Sequence, residues 1–267
     1  WSSDVCSSDL TEVTAFCPRQ DNVEILCITV RNQQEQPRWL TPIAAVPLYG
    51  RSADNIRDHR NVTSMLHRIW TTENGVMVRP TMSFDERGHR PNHKVYYVEG
   101  FGPEGQKPEA FYPTVESFLG EGGTYLHPRA VYEQYPGVKA GSRAEGREAM
   151  GAFRFPAITL APGQEAHYVL LLGVEDSEEA VNAIWDKYHS WEQVQAVLDE
   201  TRSYWKEKVN VSFRTGDPDF DNLMKWVCFQ PFLRRLFGCS FLPHHDYGRG
   251  GRGWRDLRSE EHTSELQ

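Results

Sequence analysis

No run of eighteen apolar residues occurs in the sequence, so it offers no segment able to cross a bilayer as a helix. A basic surplus is missing too. Asp and Glu number 37 against 29 Lys and Arg, for a formal net charge of −8, which argues against a nucleic-acid partner. The five cysteines form no Cys-x-x-Cys pair, and no histidine stands at a metal-ligand spacing from them. Cys17, Cys27, Cys228 and Cys239 therefore read as reduced structural thiols, a usage that goes with a cytoplasmic protein, and no metal site is expected. Nucleophile elbow, P-loop and zinc-binding helix are all absent. Gly248-Arg-Gly-Gly-Arg-Gly253 has the spacing of a dinucleotide fingerprint, but it follows a helical segment and not a strand, so its context excludes a Rossmann turn. Aromatic residues, by contrast, are abundant. They make up 12% of the chain and include eight Trp, which suits a carbohydrate-handling protein and equally a rich core.

The first ten residues, Trp-Ser-Ser-Asp-Val-Cys-Ser-Ser-Asp-Leu, and the last ten, Arg-Ser-Glu-Glu-His-Thr-Ser-Glu-Leu-Gln, resemble translated high-throughput sequencing adapters. Neither has helical or strand periodicity. The expectation is that residues 1–10 and 258–267 are foreign, Cys6 among them, and that the rest is an internal fragment of a longer protein with neither natural terminus. Asp4, Asp9 and the set Arg258, Glu260, Glu261 and Glu265 account for four of the eight negative charges, leaving −4 for residues 11–257. That span is long enough for one large or two smaller cores.

Residues 11–175 read as β. Val23–Val30 is a β-branched run, Arg31–Pro37 a polar turn, and Trp39–Tyr49 a second extended run, which together suggest a hairpin. Further strand candidates are Val62–Thr71, Gly75–Phe84, Lys94–Phe101, Phe153–Thr159 and Ala166–Gly173, with Ala161-Pro-Gly-Gln164 a turn between the last two. Many short strands punctuated by Gly, Pro and Asn indicate an antiparallel β-sandwich. Gly102–Ala152 reads as a long loop, and its aromatic centre, Phe111–Pro128, as an ordered part of it.

The period changes at Asp176. Asp176 and Glu179 frame a helix start, after which Val181, Ile184, Trp185 and Tyr188 recur at helical spacing. Ser190 and Gln193 form a second capping box, ahead of a stripe of Trp191, Val194, Val197, Leu198, Tyr204 and Trp205. Asp217-Pro218 supplies an N-cap acid with proline at the first helical position. The stripe that follows is Phe220, Leu223, Met224, Val227, Cys228, Phe232, Leu236 and Phe237, with a kink expected at Pro231. These stripes read as core-packing faces. Residues 176–209 are expected to be a helical linker and residues 210–257 the start of a helical domain.

After this helix comes the segment richest in candidate binding chemistry. Pro243 to Arg255 hold five glycines or prolines and three arginines. Glycine lets a ligand approach the backbone closely, and Arg249, Arg252 and Arg255 carry forked donors suited to carboxylates, phosphates or sugar hydroxyls. Trp254 offers a flat apolar face for a sugar ring, with Tyr247 and Asp256 beside it. His59, His67, His127, His244 and His245 are weaker candidates for the same kind of site.

The order of parts, together with Phe213-Arg-Thr-Gly-Asp-Pro-Asp-Phe220 and Tyr247–Asp256, resembles glycoside hydrolase family 94, the cellobiose phosphorylase family. Asn22-Val-Glu-Ile-Leu26, Glu116-Ser-Phe-Leu-Gly120 with Pro128, and Leu160-Ala-Pro-Gly163 add to the match, which covers nearly all of residues 20–257. Tyr49–Arg60 is most similar to the large members that phosphorolyse β-1,2-linked glucooligosaccharides. The resemblance implies an antiparallel super-sandwich at 11–175, the linker at 176–209, and the first helix of a truncated (α/α)6 barrel at 210–257. It further implies that Asp256, with Arg249 or Arg252, hydrogen-bonds the sugar beside the cleaved bond, the loop being one residue longer than the commoner family form. Trp254, Arg255 and Tyr247 complete the implied binding set.

By the same resemblance no catalytic residue lies in this chain, the general acid falling beyond Leu257. Electrostatics agree, because three nearby arginines favour the carboxylate form of Asp256, which then accepts hydrogen bonds and donates no proton. The implied reaction is inverting phosphorolysis of a β-glucooligosaccharide, inorganic phosphate taking the place of water. The chain alone is then expected to be inactive, with no cofactor, no membrane or nucleic-acid partner, and a homodimer when full length. Two other readings stay open: an inverting hydrolase or glucan-processing domain on the same scaffold, and a non-catalytic carbohydrate-binding sandwich.

Overall fold

A computed structural model describes residues 9–49, 64–85 and 88–237. The chain divides after Thr201 into two units. Among the described residues the first holds fourteen strands: β1 (Asp9–Phe16), β2 (Val23–Asn32), β3 (Arg38–Leu40), β4 (Ile43–Leu48), β5 (Arg68–Thr71), β6 (Gly75–Arg79), β7 (Met82–Asp85), β8 (Gly88–Pro91), β9 (Val95–Phe101), β10 (Ala110–Thr114), β11 (Arg143–Glu145), β12 (Ala149–Arg154), β13 (Ile158–Leu160) and β14 (Glu165–Glu175). Two short helices, α1 (Val115–Leu119) and α2 (Arg129–Tyr132), fall between β10 and β11, and α3 (Glu178–Tyr188) follows β14. Helix α4 (Trp191–Lys208) runs across the division, and α5 (Pro218–Phe237) lies in the second unit.

All the strand pairs are antiparallel. The main sheet has seven strands in the order β1-β2-β14-β9-β6-β5-β11, and a second has the order β10-β12-β4. Two-stranded ribbons pair β13 with β3 and β7 with β8. Strand periodicity explains the layering, because successive side chains point to opposite faces. On β9, Val95, Tyr97 and Phe101 join a core with Val181, Ile184, Tyr188 and Val194 of α3 and α4, whereas Val98 joins Phe111, Ala149 and Phe153 from the second sheet. On β12, Ala149 and Phe153 face the main sheet, and Met150 and Ala152 pack with Phe118 and Ala130 of α1 and α2. The layers are therefore helix, sheet, sheet, short helix. Gly151 lets the two sheets approach closely, since a Cβ there would lie 2.5 Å from Val98 Cγ2.

Proline marks the edges. Pro47 sits on edge strand β4, and Pro113 on edge strand β10 where the register shifts between Tyr112 and Thr114. Both are positions where a missing N–H breaks no central ladder.

Several expectations need correction. The runs 23–30 and 39–49 do not form a hairpin: β2 pairs with β1 and β14, while β3 and β4 pair with β13 and β12. Pairing with distant β14 on one side and β1 on the other makes β2 an inner strand of the main sheet, next to its β1 edge. Strand β1 begins at Asp9, two residues inside the segment set aside at the N-terminus, and pairs Asp9 with Asn32 and Leu10 with Arg31. The run 75–84 is two strands, broken at Pro80 and Thr81, whose φ is +32°. In the described part of 62–71 only Arg68–Thr71 is extended, His67 N donating to Ser64 O in a turn before it. Gly102–Ala152 is no loop. It holds a 3-10 turn at Pro103–Gly105, strands β10 and β11, most of β12 and helices α1 and α2.

The helix starts agree closely with the sequence. Ser177, one residue after the expected cap, accepts from Ala180 N at 3.3 Å and starts α3. Ser190 and Gln193 form the expected reciprocal box, at 3.1 and 3.3 Å. Asp217 Oδ1 accepts from Asp219 N and Phe220 N at 3.0 and 3.2 Å. Helix α5 continues through Pro231, where a kink was expected, to Phe237. Within the second unit, Trp205 meets Phe229 and Phe232 edge-on, with centroids 4.8 and 5.7 Å away. Phe220, Leu223 and Val227 of the expected core stripe are instead exposed. No helix among the described residues is long and apolar enough to cross a membrane.

Candidate functional site

The sugar-binding set expected from the sequence, Tyr247, Arg249, Arg252, Trp254, Arg255 and Asp256, lies outside the described residues, as do His59, His244, His245 and Cys239. His67 is buried at 2% exposure and donates from Nδ1 to Arg147 O at 3.2 Å, a bond that ties β5 to the turn before β12. His127 stacks on Tyr132 with 3.7 Å between ring centroids. Neither histidine faces a cluster of catalytic groups among the described residues.

The stretch Phe111–Pro128 is ordered, as its aromatic content suggested, and the reasons are local. Thr114 and Ser117 cap α1 reciprocally, each backbone N–H donating to the other's hydroxyl at 3.1 Å. Gly120 has a φ of +71°, and a Cβ there would lie 2.8 Å from Arg129 Cδ, so glycine lets the Arg129 stem cross the turn. Arg129 then donates to Glu121 O at 3.1 Å and Glu133 Oε2 at 2.6 Å, and its guanidinium lies 5.2 Å from the centre of the Tyr135 ring. Beneath it, the Tyr112 hydroxyl donates to Tyr135 O at 2.7 Å. Tyr125, Leu126, Tyr132 and Tyr135 are left exposed.

A second feature was not visible in the sequence. At the β11 edge of the main sheet lies a cleft of about 300 Å³, lined by Arg68, Trp70, Arg79, Arg143, Glu145 and Glu178 together with Ile69 and Ala144. Strand register assembles it. Glu145, Arg68 and Arg79 stand opposite one another across β11, β5 and β6, and Arg143, Trp70 and Met77 form the next row. Glu178 enters from the first turn of α3. Arg68 Nε reaches Glu145 Oε2 at 3.5 Å, and the Arg79 guanidinium lies 5.7 Å from the centre of the Trp70 ring. Trp70 Nε1 and Arg79 Nε are buried with no acceptor among the described residues. Each of these residues is ordinary in its own strand or helix, so only the pairing register and the packing of α3 could have revealed the group.

Behind α3 lies an unusual acid. Glu99, on the helix-covered face of β9, is 1% exposed. Its Oε1 accepts from the Thr72 hydroxyl at 3.2 Å, and its Oε2 has no partner among the described residues. Burial pushes its pKa up to about 7; the Thr72 hydrogen bond opposes that rise and the Glu178 charge adds to it. Burial also raises the hydroxyl pKa of Tyr97, which has no hydrogen-bond partner among the described residues. At the other end of α3, Asp21 accepts from Lys187 Nζ and the Tyr188 hydroxyl, both at 2.5 Å. Burial works against the Asp21 carboxylate, but these two partners outweigh it and lower its pKa.

No curated protein matches the chain. Among solved structures, a polysaccharide lyase is similar over 65% of this chain and 21% of its own length, at 10% identity and a TM-score of 0.33, too weak a likeness to carry an argument. Residues 9–191 match the model of the glycosyl hydrolase 94 supersandwich domain. The matched span takes in all fourteen strands and ends at the first residue of α4. The layered antiparallel sheets are consistent with that match. The chain belongs to glycoside hydrolase family 94, a family of carbohydrate-active enzymes, through its supersandwich domain.

Proposed function

We propose that this chain is part of an inverting glycoside phosphorylase that cleaves β-linked glucooligosaccharides with inorganic phosphate and releases α-glucose 1-phosphate. The observation that carries the reading is the family match over residues 9–191, joined to the Gly/Arg loop at Tyr247–Asp256. In this reading a carboxylic acid protonates the glycosidic oxygen while phosphate attacks the anomeric carbon from the opposite face. One C–O bond breaks as another forms, through an oxocarbenium-like state. Phosphate replaces both the water and the basic carboxylate of an inverting hydrolase, and no metal or organic cofactor takes part.

The roles of this chain's residues are to bind and orient. Asp256, held as the carboxylate by Arg249, Arg252 and Arg255, accepts hydrogen bonds from sugar hydroxyls, and Arg249 or Arg252 donates to them. Trp254 packs on the ring, with Tyr247 at the margin. Residues 176–209 act as a helical linker and residues 210–257 open an (α/α)6 barrel, in an enzyme that works as a homodimer in the cytoplasm on β-1,2-linked chains. The proton donor is assigned to none of these residues, so the 267-residue chain is expected to be inactive by itself.

The test is Asp256→Ala in the whole enzyme. Loss of charged hydrogen bonds that strengthen in the transition state should lower kcat/KM by at least a hundredfold, about 3 kcal/mol, with little change in the shape of the pH profile. Unchanged kcat/KM would remove Asp256 from the site. A lost acidic limb would make it the proton donor instead.

A further inference from the structure

We propose that the cleft at the β11 edge, built by Arg68, Trp70, Arg79, Arg143, Glu145 and Glu178, is a glycan-binding site on the supersandwich, and that it takes the hydroxyl face of a neutral β-glucan chain. Three observations carry this. The first is a convergence of guanidiniums: Arg68 and Arg79 stand directly opposite each other across β5 and β6, a like-charge pairing that costs a sheet stability and gathers forked donors on one strip of it. Glu145 pairs with Arg68, and the Glu179 carboxylate feels the Arg79 charge. The second is the pair of buried donors, Trp70 Nε1 and Arg79 Nε, that have no acceptor among the described residues, although buried N–H groups are normally satisfied. Both atoms are sealed from solvent in this structure, so a ligand's oxygens reach them as the Trp70 and Arg79 side chains turn toward the cleft.

The third observation is the mixture of signs. A hydroxyl both donates and accepts, so a run of sugar hydroxyls is satisfied by carboxylates and guanidiniums together. Glu145 and Glu178 supply acceptors beside the donors of Arg68, Arg79 and Arg143. A free anion would instead face both carboxylates at close range. Glu178 already acts on its surroundings in that sense, adding to the upward push on buried Glu99. The position is also open to a chain. β11 is the edge strand of the main sheet, Arg143 and Glu145 are exposed, and a ligand running along this edge meets no further strand of that sheet. Hydroxyl recognition rests on the cleft alone; the choice of β-glucan as the ligand rests on the function proposed above.

The experiment is a calorimetric titration of the 267-residue chain carrying Asp256→Ala, so that the loop does not contribute, in phosphate-free buffer. The probes are a β-1,2-linked glucotetraose, cellotetraose, maltotetraose and, separately, inorganic phosphate. Saturable binding of at least one β-linked tetraose is expected, weakened at least tenfold when Arg143→Ala or Glu145→Gln is added, with melting temperatures unchanged for these exposed sites. The inference is overturned if no β-linked tetraose binds, if both added variants bind as tightly as their parent, or if only phosphate binds. Because no turnover is measured, failure of the phosphorolytic reading leaves this outcome legible. Equally, loss of the cleft leaves the Asp256 test of that reading untouched.

Discussion

Glu99→Gln should make the protein more stable above neutral pH and leave it little changed near pH 4.5. The carboxyl of Glu99 is buried under α3, with one oxygen bonded to Thr72 and the other unpartnered among the described residues. Its pKa rises from 4.5 to about 7, first through burial. The folded state therefore holds a proton that the unfolded chain gives up earlier. The stability from this group is fully present below about pH 4.5 and is lost progressively as pH rises to about 7. At about 1.4 kcal/mol per pH unit, the loss amounts to roughly 3 kcal/mol at pH 8. Glutamine is nearly isosteric and cannot ionise, so the variant escapes that loss while keeping an acceptor for Thr72. Urea melts of both proteins at pH 4.5 and pH 8 should show a difference in stability that grows by about 3 kcal/mol across the range, or roughly 6–12 °C in melting temperature. A constant difference would mean that Glu99 is not buried as a neutral acid and that the helix-to-sheet packing over it is wrong.

Three other outcomes follow from the same structure. Gly151→Ala puts a methyl 2.5 Å from Val98 Cγ2 and should cost about 1–3 kcal/mol through forced separation of the two sheets, read as a lower urea midpoint; an unchanged midpoint would contradict the close approach. Tyr188→Phe removes a hydrogen bond to a charged acceptor and should cost about 2 kcal/mol at pH 7. Because the pKa of Asp21 is lowered, that cost should shrink as pH falls through the acid range, and a cost independent of pH would place Asp21 elsewhere. Asp217→Ala removes the cap of α5 and should cost about 1 kcal/mol, seen as faster amide exchange at Asp219 and Phe220; unaltered exchange there would refute the cap.

What could be read from sequence was local. Capping chemistry at Ser190, Gln193 and Asp217 located two helix starts to the residue, because those side chains bond backbone only two or three positions away. Inner strands of the main sheet were legible from β-branched runs such as Val23–Val30. The non-local features escaped. Ala149-Met-Gly-Ala-Phe-Arg154 has weak strand propensity and becomes β12 because both its faces are packed, by Val98 on one side and by α1 and α2 on the other. Proline in β10 masked an edge strand for the same reason that it is tolerated there. Arg68 and Arg79 face each other across the hairpin of β5 and β6, and distant Arg143 joins them only through the antiparallel register of β11. The candidate loop at Tyr247–Asp256 was read from composition and from the family resemblance, and it lies outside the described residues.

The proposed function requires that this supersandwich serve an enzyme that transfers glucosyl groups to phosphate. The most direct measurement is phosphorus NMR of the whole enzyme with a β-linked glucotetraose and inorganic phosphate. An α-glucose 1-phosphate resonance that grows with time and needs both substrates is expected. Release of free glucose at the same rate without phosphate, and no sugar phosphate with it, would contradict that claim.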